Sequence, residues 1–163
     1  DPAQTMGAAE YQLPDGLEAE NADDLTIFTP NAYKVGSEAS CADDMISAGY
    51  IRKFNTTDDW GTMKDGKIEQ VYSDNHSTVE DYGSIDGLCA SGYLVKVDYD
   101  LYSAAALEKE KSKGTDISEI DTTGQYWLLY LVRENEETGY ILALNTKNYT
   151  KEDMLAWAQS FQF

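Results

Sequence analysis

The single histidine and the two cysteines are the residues best suited to covalent chemistry. His76 could activate Cys41 or Cys89 as a nucleophile, because a neighbouring imidazole can take up the thiol proton. Such a pair would make the protein a cysteine hydrolase. However, residues 74–77 (Asp-Asn-His-Ser) form a polar stretch that is typical of an exposed loop, and nothing beside either cysteine supports a catalytic pair. We therefore predict no catalytic residues and keep the hydrolase only as an alternative.

Cys41 and Cys89 have two further interpretations. In an exported protein, an even number of cysteines permits a disulfide. A bridge between these two would close a loop of about 49 residues and stabilise the fold by about 3 to 4 kcal/mol. Otherwise they are small buried side chains that never meet. The sequence leaves both alternatives open.

Pairs of carboxylates are the second group that could do chemistry, because oxygen ligands coordinate calcium. The pairs are Asp98 with Asp100 on one face of a predicted strand, Asp58 with Asp59, and Asp23 with Asp24. The EF-hand registers that place Gly61 or Gly66 at the sixth position both fail, and one histidine with two cysteines gives no zinc cluster. Phosphate-binding glycine loops and the HExxH and GxSxG motifs are also absent from the sequence. We predict no metal and no cofactor, with a calcium-dependent module as an alternative.

The composition restricts the kinds of partner. Twelve Lys and Arg against thirty Asp and Glu give a formal net charge of −18. This charge repels phosphate backbones and anionic lipid headgroups, which disfavours binding to nucleic acid or to a membrane surface. The longest apolar run, Tyr126–Val132, is far shorter than the roughly 18 residues needed to span a bilayer. The acidity indicates a solvated surface, or one that attracts cations or a basic partner.

The elements that must position these residues form an α+β pattern. We predict a disordered lead-in over residues 1–9 and a single domain over residues 10–163. The sheet should be mainly antiparallel, with a C-terminal amphipathic helix packed on it and one or two shorter helices. The predicted strands are 10–13, 25–28, 50–54, 93–101, 126–132 and 140–144. The first ends at the turn Pro14-Asp15-Gly16, and a further hairpin pairs 62–64 with 70–72 through the turn Asp65-Gly66.

The shorter helices and the longest loop lie between these strands. One helix is predicted from Ser40 to Gly49, where the glycine would end it in the left-handed conformation. A solvated helix or a mobile loop should begin at Ser103 and end at Gly114. Residues 73–92 are polar, rich in glycine and without periodicity, so we predict a long loop there. A site carried by a loop would be sought first in that segment.

The C-terminal helix is the best-specified element. Thr150 should cap it, with Asp153 in the capping-box position. The helical spacing then predicts a buried stripe that consists of Met154, Trp157, Ala158 and Phe161. We expect Trp157 to be buried against the hairpin of residues 126–144.

Three N-glycosylation patterns occur, at Asn55, Asn75 and Asn148. Such three-residue patterns arise often by chance, and they matter only in a eukaryotic protein.

Three short segments in the last third of the chain belong to the predicted hairpin and to the amphipathic helix, which ends with Ser-Phe. They are Tyr126-Trp127-Leu128-Leu129, Gly139-Tyr140-Ile141-Leu142 and Ala158-Gln159-Ser160-Phe161. This layout resembles the end of PsbP/Mog1-like domains and of small exported lipoproteins of Gram-positive bacteria. Residues 11–16 (Tyr-Gln-Leu-Pro-Asp-Gly) are similar to the Y-x-x-P-x-G-W opening of that group, with Leu17 in place of Trp. The resemblance implies a binding or accessory module and transfers no site residue.

These observations favour a non-enzymatic domain that is secreted or lies at the surface of a bacterial cell. We expect the bacterium to be Gram-positive. It would bind a protein, a peptide or a component of the envelope. The chain begins Asp1-Pro2-Ala3-Gln4 without Met, which we interpret as the boundary left after a leader, with a lipid tether upstream of Asp1 as one form of anchoring. The alternatives are the cysteine hydrolase of His76 and a calcium-dependent binding module.

Overall fold

The computed structural model describes residues 3–21, 23–29, 47–57, 59–72, 77–100, 102–120 and 122–163. These residues form nine strands and four α-helices, which confirms the predicted α+β class. The strands are β1 (Gln4–Met6), β2 (Ala9–Tyr11), β3 (Glu18–Asn21), β4 (Leu25–Thr29), β5 (Gly49–Asn55), β6 (Ser77–Ile85), β7 (Ser91–Asp100), β8 (Thr123–Val132) and β9 (Thr138–Asn145). The helices are α1 (Trp60–Lys64), α2 (Ile68–Val71), α3 (Ala104–Ser112) and α4 (Lys151–Ala158), and a 3-10 helix covers Ile117–Glu119.

Seven of these strands form one antiparallel sheet in the order β3-β4-β5-β9-β8-β7-β6. The predicted hairpin of β8 and β9 is confirmed, with pairing from Tyr126 opposite Asn145 to Leu131 opposite Tyr140. It lies inside the sheet because residues 126–132 are apolar towards both faces, and all of them are buried. The predicted strands in the regions of β4, β5 and β7 are confirmed within about two residues, the usual error of element boundaries.

The N-terminal hairpin corrects the expectation of a disordered lead-in over residues 1–9 for residues 4–9, and residues 1 and 2 lie outside the described residues. β1 and β2 pair from Gln4 opposite Tyr11 to Met6 opposite Ala9. Met6 and Ala9 are buried in the core. The small side chains of this segment give no apolar period in the sequence, so its order comes from tertiary contacts that a local pattern does not contain.

Two short helices, α1 and α2, occupy the place of the predicted hairpin of residues 62–64 and 70–72. Asp65 and Gly66 connect helices rather than strands, and Gly66 has a φ of 79°. Met63 and Ile68 are buried against the sheet. The hairpin prediction was wrong because an Asp-Gly pair specifies a tight turn but not what the turn connects.

The long loop predicted over residues 73–92 was wrong for residues 77–85, which form β6 at the edge of the sheet, and for residues 91 and 92, which begin β7. Residues 73–76 lie outside the described residues. The strand contains a bulge at Tyr82, where Asp81 pairs with Val95 but Gly83 pairs with Leu94. Gly83 has a φ of 80°. Because an extra residue and Gly83 interrupt its period-two pattern, this strand resembles a loop in the sequence.

The two predicted shorter helices had different outcomes. Most of the first, residues 40–46, lies outside the described residues. Its expected end, Gly49, instead begins β5, where a side chain would collide with the backbone oxygen of Ala143 in β9. The second is confirmed as α3, and the Oγ of Ser103 accepts a hydrogen bond of 3.1 Å from the backbone N–H of Ala106.

The C-terminal helix α4 has the predicted capping box. Thr150 Oγ1 accepts from the Asp153 backbone N–H at 3.1 Å, and Asp153 Oδ2 accepts from the Thr150 N–H at 2.8 Å. The whole predicted stripe is buried, with exposures of 0%, 8%, 0% and 1% for Met154, Trp157, Ala158 and Phe161. α4 packs over β8 and β9. The aromatic neighbours of Trp157, however, are Phe161 and two rings from β2 and β4.

The sheet has a core on each side. The helix face, covered by α4 and the β1–β2 hairpin, includes Phe28, Leu129 and Leu142. The tyrosine face, covered by α1 and α2, has a core whose members are Tyr50, Met63, Ile68, Tyr93, Val95, Val97, Tyr126, Leu128, Tyr130 and Ala143. Covering both faces explains why the central strands are apolar on both sides.

Candidate functional site

A groove of about 430 Å³ lies between residues 12–15, which follow β2, and one side of α4. Leu13 and Pro14 line one wall, and Ala156 and Trp157 line the other. Leu144 of β9 also contributes to the lining. This volume falls within the range of roughly 300 to 1,000 Å³ that is usual for ligand sites.

The two walls are joined by hydrogen bonds between the start and the end of the described chain. The indole Nε1 of Trp157 donates to the backbone oxygen of Gln12 at 2.7 Å. The Gln12 N–H donates to Ser160 Oγ at 3.3 Å. Two residues before Gln12 and two residues after Ser160, Glu10 and Gln162 exchange two backbone hydrogen bonds of 2.8 and 2.9 Å. The groove is therefore formed before any ligand arrives, which lowers the entropy cost of binding.

Local structure places a carboxylate on each wall. Asp15 stands in a turn that the Leu17 N–H closes on the Pro14 oxygen at 3.3 Å, with Gly16 at a φ of 80°. Asp153 stands on α4 in the capping box. Both positions follow from local sequence signals, a Pro-Asp-Gly turn and a helix cap.

Tyr149 completes the polar side of the groove. Partial burial raises the pKa of its hydroxyl, and the negative charges of Asp153 and Asp15 raise it further. The described residues that line the groove include no Lys, Arg or His. The site thus combines apolar walls, aromatic rings and two carboxylates, an arrangement that attracts cations and repels anions.

Of the three residues of the alternative cysteine hydrolase, the structure describes one, Cys89. His76 and Cys41 lie outside the described residues. Cys89 is an exposed free thiol. Partial burial raises the pKa of the Cys89 thiol, against the smaller opposing effects of nearby backbone groups and Arg133. A thiol with a raised pKa is mostly protonated near neutral pH, the reverse of what a catalytic nucleophile needs.

The acidic pairs do not form a metal centre among the described residues. No group of three or more His, Cys, Asp or Glu side chains comes together there. Asp23, Asp24 and Asp59 are exposed, and Asp58 lies outside the described residues.

Asp98 is the exception among these carboxylates, because its Oδ1 is buried. No hydrogen-bond partner from the described part of the chain reaches that atom. Burial raises the pKa of Asp98, and the charge of Asp100 raises it further. A small cavity of about 190 Å³ lies beside it. Lys96 also lines this cavity, and its ammonium group pairs with Glu80 at 3.2 Å, so a further cation would meet a positive charge there.

The glycosylation patterns lie in different environments. The Asn55 side chain accepts hydrogen bonds from the Thr57 N–H at 2.9 Å and from the Thr57 hydroxyl at 2.7 Å. Asn148 is exposed and lines the groove. Asn75 lies outside the described residues.

Sequence reasoning did not find the groove. It assigned Asp15 to a turn and Asp153 to a helix cap, and both assignments are correct as local structure. The groove arises because the chain segment after β2 lies beside α4, with Gln12 bonded to Trp157 about 145 positions away in sequence. No short motif contains that juxtaposition.

No protein-family model matches the chain, and no curated protein matches it. In the part of the chain that the structure describes, no helix is both long and apolar enough to cross a membrane.

Proposed function

We propose that this protein is a non-enzymatic binding domain that acts outside the cell or at its surface. It would bind a protein, a peptide or an envelope component in the groove between residues 12–15 and α4. The observation that carries this proposal is the preformed groove, with both walls held by the bonds from Gln12 to Trp157 and Ser160. A preformed concave site with a few polar groups among apolar walls is typical of ligand binding.

The chemistry of the groove supports binding rather than catalysis. Ser160 is the one hydroxyl of serine or threonine among the described lining residues, and it is already engaged. Its Oγ donates to the Trp157 backbone oxygen at 2.7 Å and accepts from the Gln12 N–H. No His or Cys among the described lining residues is present to serve as a base or nucleophile.

A surface location fits the composition. The chain carries a formal net charge of −18 and few lysines and arginines, which favours solubility and disfavours contact with nucleic acid. Proteinase K treatment of intact producing cells tests the location. We expect the protein to be digested while a cytosolic marker survives, and protection of both would contradict a surface location.

Selection from a random-peptide phage library tests whether the groove binds. The variant Ala156→Trp fills the groove from an exposed position of α4, and Ala105→Trp places the same ring on the exposed side of α3 as the matched control. We expect enriched peptides to bind the wild type and Ala105→Trp equally, and Ala156→Trp at least about tenfold more weakly. Enriched peptides that bind Ala156→Trp as well as the wild type would refute the groove as the site.

Thiol labelling separates this proposal from the cysteine hydrolase. Iodoacetamide near neutral pH should modify Cys89 slowly, because its thiol pKa is raised. A cysteine that reacts much faster than free cysteine under the same conditions, at either position, would favour the hydrolase instead.

A further inference from the structure

The distribution of charge in the groove narrows the class of ligand. Asp15 and Asp153 stand on opposite walls, and the described lining residues offer no positive charge to neutralise them. Tyr149 lines the same groove, and both carboxylates contribute to the raised pKa of its hydroxyl after the larger effect of burial. Two carboxylates on opposite walls of one groove favour a positively charged group between them.

The rest of the lining suits an organic cation better than a metal ion. Leu13, Leu144 and Ala156 present apolar surface, which would contact a methylene chain. The rings of Tyr149 and Trp157 also line the groove, and aromatic faces attract ammonium and guanidinium groups. A metal ion would need more oxygen ligands, and no group of three metal-binding side chains occurs among the described residues.

We infer that the groove accepts the side chain of a lysine in a basic peptide segment of a partner protein. The methylene chain would lie against Leu13 and Ala156, and the ammonium group would lie between Asp15 and Asp153. This inference rests on the proposed binding function and adds the chemistry of the ligand. Charge complementarity supports a basic partner, because the protein as a whole carries a formal net charge of −18 and attracts basic segments from a distance.

The direct test is a titration with the capped pentapeptide Ala-Ala-Lys-Ala-Ala, followed by the NMR signal of the Trp157 indole N–H. We expect a saturable shift of that signal. The same peptide with norleucine in place of lysine keeps the methylene chain but lacks the charge, and it should bind at least about tenfold more weakly. Equal binding of the two peptides would overturn the inference.

Charge variants separate the groove from the general acidity of the protein. Asp15→Asn should weaken binding of the lysine peptide by about tenfold, because a bond to a charged group is lost. Asp86→Asn removes the same charge from an exposed position outside the groove and should change the affinity by less than about twofold. Equal effects of the two variants would show general attraction and overturn the inference.

A tethered competitor gives a second, independent test. Ala156→Lys places an ammonium group beside the groove at little cost in helix propensity, and it should abolish binding of the lysine peptide. Ala105→Lys makes the same change of charge on α3 and should leave binding intact. Unchanged binding by Ala156→Lys would overturn the inference.

The source of the ammonium group is tested with n-butylamine, which has the lysine side chain without a peptide. We expect the peptide to bind more tightly, and equal affinities would overturn the assignment to a peptide. Failure of this inference differs from failure of the proposed function. If neutral or acidic peptides from the library bind and Ala156→Trp abolishes their binding, the groove is still the binding site but its ligand is not basic.

Discussion

The two faces of the sheet are closed in different ways. On the helix face, one capped helix and a hairpin bury rings against each other. The rings of Tyr11 and Phe161 stack with their centroids 5.0 Å apart. Phe28 packs edge-on against Trp157, with a distance of 5.5 Å between the ring centroids. On the tyrosine face, α1 and α2 are one to two turns long, and neither has a side-chain cap bond. The helix face is therefore stabilised mainly by burial of apolar surface, and the regular helix α4 supplies much of that surface.

The tyrosine face adds hydroxyl hydrogen bonds to its apolar contacts. The Tyr126 hydroxyl donates to the backbone oxygen of Ser47 at 2.7 Å. The Tyr93 hydroxyl donates to Asp81 at 2.8 Å. The hydroxyls of Tyr72 and Tyr130 bond to each other. Burial raises the pKa of Tyr72, Tyr93 and Tyr130 on this face, and of Tyr11 in the core of the helix face. Because the tyrosine face has more of these phenols, it should be the more sensitive to alkaline pH, and the helix face should be the more sensitive to loss of ring volume.

Trp157→Ala should give the largest loss, because it removes a ring that is 8% exposed and touches three other aromatic rings. We expect the free energy of unfolding in urea to fall by about 3 to 5 kcal/mol. Trp60→Ala, on the half-buried Trp60 of α1, is the matched change on the tyrosine face and should cost less. A larger loss from Trp60→Ala would reverse the comparison of the two faces.

The two faces also differ in how well their elements could be predicted from the sequence. α4 was found because its cap, its acidic first turn and its apolar spacing all lie within twelve residues, from Thr150 to Phe161. β8 and β9 were found because their apolar runs are continuous. α1 and α2 were missed because two buried residues, Met63 and Ile68, hold segments with little helical pattern against the tyrosine face. Tertiary burial overrides weak local preference there.

The candidate site shows the same limit. Its parts were assigned correctly as a Pro-Asp-Gly turn and a helix cap, but their proximity depends on the pairing of Glu10 with Gln162 at opposite ends of the chain. A pairing over that distance has no local signal. The disordered lead-in was predicted for the same reason, since β1 and β2 are ordered by the core they contact.

Alkaline pH should weaken the protein by the next largest amount. Burial raises the pKa of Tyr130 to about 12. Since this is above the unfolded value of about 10, the native state holds the proton more tightly. Its stabilising effect is therefore complete below about pH 10 and is lost as pH rises towards about 12, by roughly 2 to 3 kcal/mol.

Urea unfolding between about pH 9 and pH 12 measures this loss, and Tyr130→Phe should reduce its steepness. Tyr82→Phe is the matched control on the helix face, because the Tyr82 hydroxyl bonds to the exposed carboxylate of Glu80. A wild-type stability that stays level up to about pH 12 would contradict the prediction.

Tyr126→Phe should have a moderate effect at neutral pH. It keeps the ring and removes one buried hydroxyl, which leaves the Ser47 oxygen with the longer bond of 3.4 Å from the Asn145 amide. We expect a loss of about 1 to 2 kcal/mol in the free energy of unfolding. Tyr82→Phe, which breaks a bond at the surface, should cost less. Equal losses would show that the hydroxyl bonds of the tyrosine face add little to its stability.

Thr150→Ala should cost about 1 kcal/mol, because it removes half of the capping box of α4. Thr150→Ser keeps the hydroxyl and is the control. Ser103→Ala removes the cap of α3, an exposed helix with one buried side chain, Glu110. The α4 change should lower the global free energy of unfolding, while the α3 change should mainly speed amide hydrogen exchange within α3. Equal effects on global unfolding would show that α3 belongs to the same cooperative unit.

The smallest expected change is a gain in the free energy of unfolding. It comes from Asp98, a polar residue of β7 at the helix face. The buried Oδ1 of Asp98 has no hydrogen-bond partner from the described residues, and burial together with Asp100 raises the pKa of Asp98. A raised carboxyl pKa means that the charged form costs stability in the native state. Below the unfolded pKa of about 3.9 the group is protonated in both states and the cost is absent, and the cost appears as pH rises through the folded pKa.

Asp98→Asn should therefore raise the free energy of unfolding by about 0.5 kcal/mol at neutral pH and have little effect near pH 3. Asp86→Asn, at an exposed position, controls for the change in net charge. A gain that persists at low pH, or one that Asp86→Asn reproduces, would show that the burial of Asp98 is not its cause.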